Sequence, residues 1–201
     1  MPRVIAGHVG ESSFNAAAFM HPDPLRNEFF IAVNGGTSIV LEQLFNRFLS
    51  EPTLLTWIGD PTAESPGPRF PVRDDAQAIV DEFVKAGVDP FDRFPKDPIR
   101  RKAAHFMSLL AMEYILQHEL VHIQAGHVTF QPHLTGKLLI RESYSKGIDV
   151  EQAMQLQAME AEADCIAACR TLHTAFEFCE NPSSFPSDLF QTPDDSRATA
   201  S

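Results

Sequence analysis

The chain has 201 residues, of which 44% are hydrophobic and 21% charged, and its formal net charge at pH 7 is −11. This balance is typical of a globular domain and excludes a disordered chain. The negative charge disfavours nucleic acid and anionic membranes as partners, because both attract basic surfaces. No apolar run is long enough to span a bilayer, so we expect no transmembrane helix.

The compartment can be inferred from the N-terminus and the cysteines. The N-terminal region lacks the basic segment and the continuous apolar run of a signal peptide. The 3 cysteines have no disulfide-framework spacing, which is typical of a reducing compartment. We therefore expect a cytoplasmic protein.

The N-terminal part of the chain predicts short strands. Residues 4–5 and 27–33 are rich in strand-forming side chains, and an Asn-Gly-Gly sequence ends the second run. Residues 53–58 are also β-prone and form a further strand candidate, whereas residues 16–20 are too short to assign. These runs together predict a small sheet.

Two helices are predicted in the first half of the chain. Apolar residues recur at helical spacing over residues 37–49. A second helix is expected over residues 74–86, with Asp74 and Gln77 as a capping box and Gly87 just beyond its end.

Two longer helices are predicted in the second half. The first runs over residues 98–125, between an Asp-Pro start and Gly126. Its first half is apolar nearly all round, which indicates burial on several sides. The last helix covers residues 149–178, where Asp149 and Gln152 form a capping-box pattern.

The predicted fold class is α+β: a mainly helical domain with a small antiparallel N-terminal sheet packed on the first of these long helices. An antiparallel sheet is expected because strands and helices do not alternate regularly. Residues 127–131 and 137–140 are expected to be short strands or irregular. We expect one domain over residues 1–180, with a proline-rich loop at 59–71, and a flexible C-terminal tail at 181–201.

The strongest chemical signal is the sequence His118-Glu119-Leu120-Val121-His122, an H-E-x-x-H pattern near the end of a predicted helix. Residues four apart share a helical face, so both imidazoles can reach one Zn²⁺. Glu119 can reach a water molecule at such a metal and act as general base. The pattern predicts a hydrolytic zinc site, provided that a third ligand exists.

A third ligand can be sought directly after this motif. The metzincin pattern requires Gly at position 125 and His at position 128, where this chain has Ala125 and Val128. That pattern therefore does not fit. His127 can bind the metal only if the chain turns sharply at Gly126, and the capping of a helix-terminal carbonyl is its alternative role.

A better third ligand lies in the last predicted helix. Glu160 and Asp164 are four residues apart and share a helical face, from which Glu162 points away. One carboxylate can bind the metal while the other accepts the N–H of a ligand histidine and fixes its tautomer. The alternative is that all three acids are solvated surface residues.

This combination resembles the gluzincin metallopeptidases, in which H-E-x-x-H is followed by E-x-x-x-D on a later helix. The sequences HELVHIQAGH (residues 118–127) and EAEADCIA (residues 160–167) are similar to those of small bacterial phage-exclusion peptidases of the Lit type. The same two sequences resemble those of the ImmA/IrrE regulatory peptidases more distantly. The resemblance covers residues 98–178 and extends less clearly to residues 29–49.

The resemblance implies zinc bound by His118, His122 and Glu160, with Glu119 as the base and Asp164 behind a ligand histidine. It implies a zinc-dependent peptidase acting on an intracellular protein or peptide. The negative net charge, rather than the resemblance, argues against nucleic acid and membrane partners. The alternatives are a non-catalytic, zinc-stabilised regulatory or binding domain and a zinc hydrolase of a non-peptide amide. Glu119 favours catalysis, because a purely structural zinc site needs no base. The oligomeric state stays open.

Other polar residues have weaker patterns. Stabilising a tetrahedral intermediate usually takes a further hydrogen-bond donor. The candidates for this donor are Arg141, Tyr144, His133 and His173. We prefer Tyr144, because it lies between the two ligand helices. Cys165 and Cys169 can form a metal pair, but burial as small side chains is the preferred interpretation.

Overall fold

A computed structural model gives the fold of the chain and describes residues 2–64, 73–87, 94–135 and 149–180. Helices dominate and a small sheet lies near the N-terminus, so the α+β prediction is confirmed. The strands are β1 (Arg3–Val9), β2 (Ala16–Met20) and β3 (Glu28–Asn34). The helices are α1 (Gly35–Ser50), α2 (Ala76–Ala86), α3 (Pro98–Gln124), α4 (His127–Thr135) and α5 (Val150–Glu180).

Some predicted features lie outside the described residues. These are the possible strand at 137–140, residues 65–71 of the proline-rich loop and the tail at 181–201. The contacts of the chain divide it into two compact units, and the single domain over residues 1–180 stays a prediction. Within the described ranges, no helix is both long and apolar enough to cross a membrane.

The first compact unit contains the whole sheet. It comprises Met1–Glu11, Asn15–Gly35 and Glu113–Thr174. The strand order is β1-β3-β2, with β1 parallel and β2 antiparallel to β3. The antiparallel prediction is therefore correct for β2 and wrong for β1. β2 lies between β1 and β3 in the chain and runs in the opposite direction. β1 and β3, on either side of it in the sequence, therefore run in the same direction.

β3 is the central strand, and its side chains alternate between two environments. Phe29, Ile31 and Val33 are buried on one face, as expected for a half-buried strand. Ala18 of β2 lies opposite Ile31 and is fully buried on the same face. Alanine has a low strand propensity, so the pairing with β3, rather than the local sequence, determines the alanine-rich strand β2.

The C-terminal part of α3, α4 and most of α5 complete the first unit. Gly126 has φ +80°, which ends α3 and lets α4 begin at the next residue. Residues 127–131 are therefore helical, and the prediction of a strand or irregular structure is wrong. α5 begins with the predicted capping box. The Asp149 N–H donates to Gln152 Oε1 at 3.2 Å, and the Gln152 N–H donates to Asp149 Oδ1 at 2.8 Å.

Hydrogen bonds join α5 to the C-terminal part of α3. Arg170 of α5 donates to Gln117 Oε1 at 3.3 Å and to Gln124 Oε1 at 2.8 Å, both on α3. The buried side chains of α5 recur three or four positions apart, as one face of a helix requires. They are Leu156, Met159, Ala163 and Ala167.

The second compact unit contains α2 and most of α1. It comprises Ser12–Phe14, Gly36–Met112 and Ala175–Ser201. An aspartate caps α2 as predicted, but the residue is Asp75 rather than Asp74. Its carboxylate accepts the Ala78 N–H at 2.9 Å and the Ser12 hydroxyl at 2.7 Å. Gly87 follows the helix with φ +60°, in agreement with its predicted position.

Arg100 is fully buried and organises the segment after α1. All five of its N–H groups donate to backbone carbonyls at 2.6–3.1 Å, those of Leu49, Glu51, Leu54, Leu55 and Ile58. Its Nε lies 3.8 Å from the Glu64 carboxylate. Carbonyls that turn toward one cation cannot form a β-ladder. The strand predicted over residues 53–58 is therefore wrong, and the segment forms turns.

Replacing Arg100 by Lys should lower the free energy of unfolding by about 2 kcal/mol or more, measured by urea denaturation. Three N–H donors cannot serve five carbonyls, and each buried carbonyl without a donor costs roughly 1–3 kcal/mol. Lys102→Ala, at an exposed position of the same helix, is the control and should change stability by at most about 0.5 kcal/mol. Wild-type stability in Arg100→Lys would contradict this role.

Candidate metal centre

His118 and His122 lie in the last two turns of α3 and point to the same side of it. Their Nε2 atoms are 2.9 Å apart. The His122 side chain is 1% exposed and that of His118 is 15% exposed. Two imidazole nitrogens at this distance need either a shared proton or a cation between them, because their lone pairs otherwise repel each other.

Glu160 of α5 completes the group. Its Oε2 atom lies 3.2 Å from His118 Nε2 and 3.5 Å from His122 Nε2. In tetrahedral zinc sites with bonds near 2.0–2.1 Å, neighbouring ligand atoms are about 3.3–3.4 Å apart. The two distances from Glu160 fit such an ion, while the 2.9 Å between the histidine nitrogens is shorter. The described part of the chain has no other set of three potential ligands within 4.8 Å of one another.

The electrostatics of the group favour a carboxylate that is ionised at neutral pH. Burial raises the pKa of Glu160, but hydrogen bonds with His118 and His122 outweigh it and bring the pKa down to about 2. Burial lowers the pKa of His118, but its hydrogen bond with Glu160 and the charges of neighbouring carboxylates outweigh this and raise it. The group is therefore arranged to hold positive charge next to Glu160.

Glu119 is buried beside these ligands, with 8% of the residue exposed. Burial raises its pKa, while the charges of His122 and His118 act in the opposite direction. The backbone N–H of Ala18 in β2 also donates to this carboxylate. A carboxylate with a raised pKa is closer to the pKa range of an effective general base than an exposed one.

Asp164 holds the other side of His118. Its Oδ1 atom lies 3.0 Å from His118 Nδ1 and accepts the hydroxyl of Tyr114 at 2.6 Å. This is the contact that the spacing of Glu160 and Asp164 predicts. A carboxylate at Nδ1 favours the tautomer with its proton on Nδ1, which leaves the Nε2 lone pair for a metal.

Tyr114 also takes part in the site, although it is not among the residues predicted from the sequence. It lies one helical turn before His118, and burial and its hydrogen bond to Asp164 raise its pKa to about 12. Spacing alone can identify this residue, because Tyr114, His118 and His122 recur every four positions. The preferred donor Tyr144, like Arg141, lies outside the described residues.

His127 and Glu162 extend the site behind His122. His127 Nδ1 lies 3.1 Å from His122 Nδ1, and its Nε2 lies 3.2 Å from Glu162 Oε2. His127 therefore faces the side of His122 opposite Nε2 rather than the three converging ligand atoms. Glu162 is outside that group, as its helical position predicts, but it reaches His127. No local sequence pattern predicts this contact.

The cysteines of α5 are exposed. Cys165 and Cys169 are exposed, so the interpretation of both as buried small side chains is wrong. The helix turns them to its outer face, opposite the buried line that includes Ala163 and Ala167. Among the described residues, neither cysteine belongs to a group of three potential metal ligands.

Comparisons with protein-family models, with curated proteins and with solved structures found no match to this chain. The resemblance to gluzincin peptidases therefore rests on the two motifs and stays a prediction. The structure brings His118, Glu119, His122, Glu160 and Asp164 together in the first compact unit. Their assignment as zinc ligands, base and supporting carboxylate is an interpretation of that arrangement.

Glu160→Ala should lose stoichiometric zinc, because it removes one of three ligands. Asp164→Asn should retain zinc with an affinity roughly 10–100-fold weaker, as is typical when the partner of a ligand histidine is changed. Competition with a chromophoric zinc chelator measures both. Glu151→Ala, at an exposed position of α5, is the control and should bind as the wild type does. Equal zinc affinity in Glu160→Ala and the wild type would exclude Glu160 as a ligand.

Proposed function

We propose that this chain is a zinc-dependent peptidase that hydrolyses a peptide bond of a cytoplasmic protein. One observation carries the proposal: ligand atoms of His118, His122 and Glu160 lie 2.9–3.5 Å from one another, near the spacing in tetrahedral zinc sites, and the buried carboxylate of Glu119 lies beside them. Three protein ligands with a neighbouring base are typical of catalytic zinc sites, which keep one position for water.

The residues have separate roles in this proposal. When bound, Zn²⁺ supplies Lewis acidity toward a water molecule and the scissile carbonyl. Glu119 removes a proton from the attacking water and later delivers it to the leaving amine. Two neutral imidazoles and only one carboxylate leave the centre with a net positive charge. That charge favours the negative charge that develops on the carbonyl oxygen.

The edge of the sheet supports a peptide as the substrate. The backbone carbonyl of Asn15 accepts a hydrogen bond from the Asn34 N–H at 2.9 Å, and the His21 N–H donates to the Glu28 carbonyl at 2.8 Å. Successive residues of a strand direct their N–H and C=O groups to opposite sides. Ala18 is three residues from both Asn15 and His21, so its N–H points away from β3. No described strand pairs with β2 on that side. The Ala18 N–H on that side donates to the Glu119 carboxylate, so an extended peptide bound along this edge would run past Glu119.

The location of the protein in the cytoplasm is part of this proposal. Cys165, Cys169 and Cys179 are free and exposed. Exposed thiols that form no disulfide are typical of a reducing compartment. The net charge of −11 also favours a protein or peptide partner over nucleic acid.

Glu119→Gln should keep zinc but lower the rate of peptide hydrolysis by about 10²–10⁴-fold, because the amide cannot take up the proton. A library of peptides derived from cytosolic proteins serves as the substrate, with new amino termini detected by mass spectrometry. Glu151→Gln is the control and should cleave as the wild type does.

Each other result has a clear meaning. Wild-type cleavage rates in zinc-loaded Glu119→Gln would refute Glu119 as the base. Zinc-loaded wild type that cleaves no peptide would instead favour the non-catalytic regulatory domain. Hydrolysis of small amides alone would favour the non-peptide hydrolase.

A further inference from the structure

Three side chains form a continuous row of hydrogen-bonding groups behind the proposed metal centre. His122 Nδ1 lies 3.1 Å from His127 Nδ1, and His127 Nε2 lies 3.2 Å from Glu162 Oε2. The His122 side chain is 1% exposed and that of His127 is 7% exposed, whereas that of Glu162 is 54% exposed. The row therefore leads from the buried ligand to a carboxylate at the surface.

The order of the groups assigns a direction to the hydrogen bonds. If His122 binds the metal through the lone pair of Nε2, its neutral ring carries a proton on Nδ1. The His122 Nδ1–H must then donate to His127 Nδ1, which accepts through its lone pair. The proton of the neutral His127 ring is therefore on Nε2. That N–H in turn donates to Glu162. With both rings neutral and His122 bound through Nε2, only this arrangement gives the His122–His127 and His127–Glu162 contacts one donor and one acceptor each.

We propose that His127 and Glu162 are positioning residues, which hold the His122 ring in the tautomer and orientation that direct its Nε2 lone pair to the metal. This inference rests on the proposed zinc site. His122 is too buried for water to satisfy its Nδ1 proton, so His127 supplies the acceptor. Glu162 acts one step further out, by fixing which nitrogen of His127 is free to accept.

The proposal explains why three acids recur at every second position of α5. Glu160 faces both ligand histidines, Asp164 contacts His118 directly, and Glu162 reaches His122 through His127. One turn of helix thus supplies a ligand and a carboxylate for each histidine. Carboxylates that accept the second N–H of a ligand histidine strengthen metal binding in this way.

The test measures zinc affinity by chelator competition in the full chain, with the visible absorption of the cobalt-substituted protein as a second readout of ligand geometry. His127→Leu removes the acceptor and should weaken zinc binding roughly 10–100-fold and change the cobalt spectrum. His127→Asn keeps an oxygen near the position of Nδ1, so it should bind at least about 10-fold more tightly than His127→Leu. The control is His8→Asn, at an exposed position of β1, which should bind zinc as the wild type does.

Glu162 is tested by its dependence on His127. Glu162→Leu should weaken zinc binding by about 10-fold or less in the wild type, because this carboxylate is half-exposed and acts through another residue. It should have no further effect in the His127→Asn background, because asparagine lacks the Nε2–H group that contacts Glu162. Glu151→Leu is the matched control on the same helix. Circular dichroism establishes that each variant is folded.

Failure of this inference can be separated from failure of the proposed function. A wild type that binds no zinc would overturn both. With zinc bound to the wild type, equal losses in His127→Leu and His127→Asn would show that His127 only fills space. An unchanged zinc affinity in His127→Leu would also overturn the positioning role. So would an equal effect of Glu162→Leu in the wild-type and His127→Asn backgrounds. Affinity decides these outcomes whether or not the protein cleaves a peptide.

Discussion

The site depends on three electron-rich atoms held close together. The Nε2 atoms of His118 and His122 are 2.9 Å apart, and Glu160 Oε2 lies 3.2 and 3.5 Å from them. Such convergence is unfavourable unless positive charge lies among the three atoms. The protein maintains it with rigid elements, because two atoms come from successive turns of one helix and the third from a helix hydrogen-bonded to it. All of these side chains belong to the first compact unit.

Four of the five helices in the described ranges could be predicted because their signals are local, whereas α4 was wrongly expected to be strand or irregular. Helical spacing of apolar residues, the Asp149–Gln152 capping box and Gly126 locate three of them within a few residues. Local propensity located β1 and β3, but it failed for β2 and for residues 53–58, because these segments depend on distant partners. Alanine-rich β2 forms through its pairing with β3, and β1 is parallel because β2 intervenes in the chain. Residues 53–58 read as a strand, but the buried cation of Arg100 turns their carbonyls inward.

Part of the site followed from spacing, since four-residue intervals on a helix place His118 with His122 and Glu160 with Asp164 on common faces. Spacing alone could not pair those two faces with each other. That pairing comes from the packing of α5 against α3, which the structure supplies. The contact between His127 and Glu162 was missed for the same reason, because it joins residues of two helices whose relative placement no local pattern encodes.

X-ray absorption spectroscopy of the zinc-loaded wild-type chain tests the metal centre most directly, because it identifies the atoms around the ion without a substrate. One zinc per chain is expected, surrounded only by nitrogen and oxygen at about 2.0–2.1 Å, as a set of His118, His122 and Glu160 requires. Zinc–sulfur distances near 2.3 Å would assign the ion to the cysteines instead. That result, or a chain that takes up no stoichiometric zinc, would contradict the centre described here.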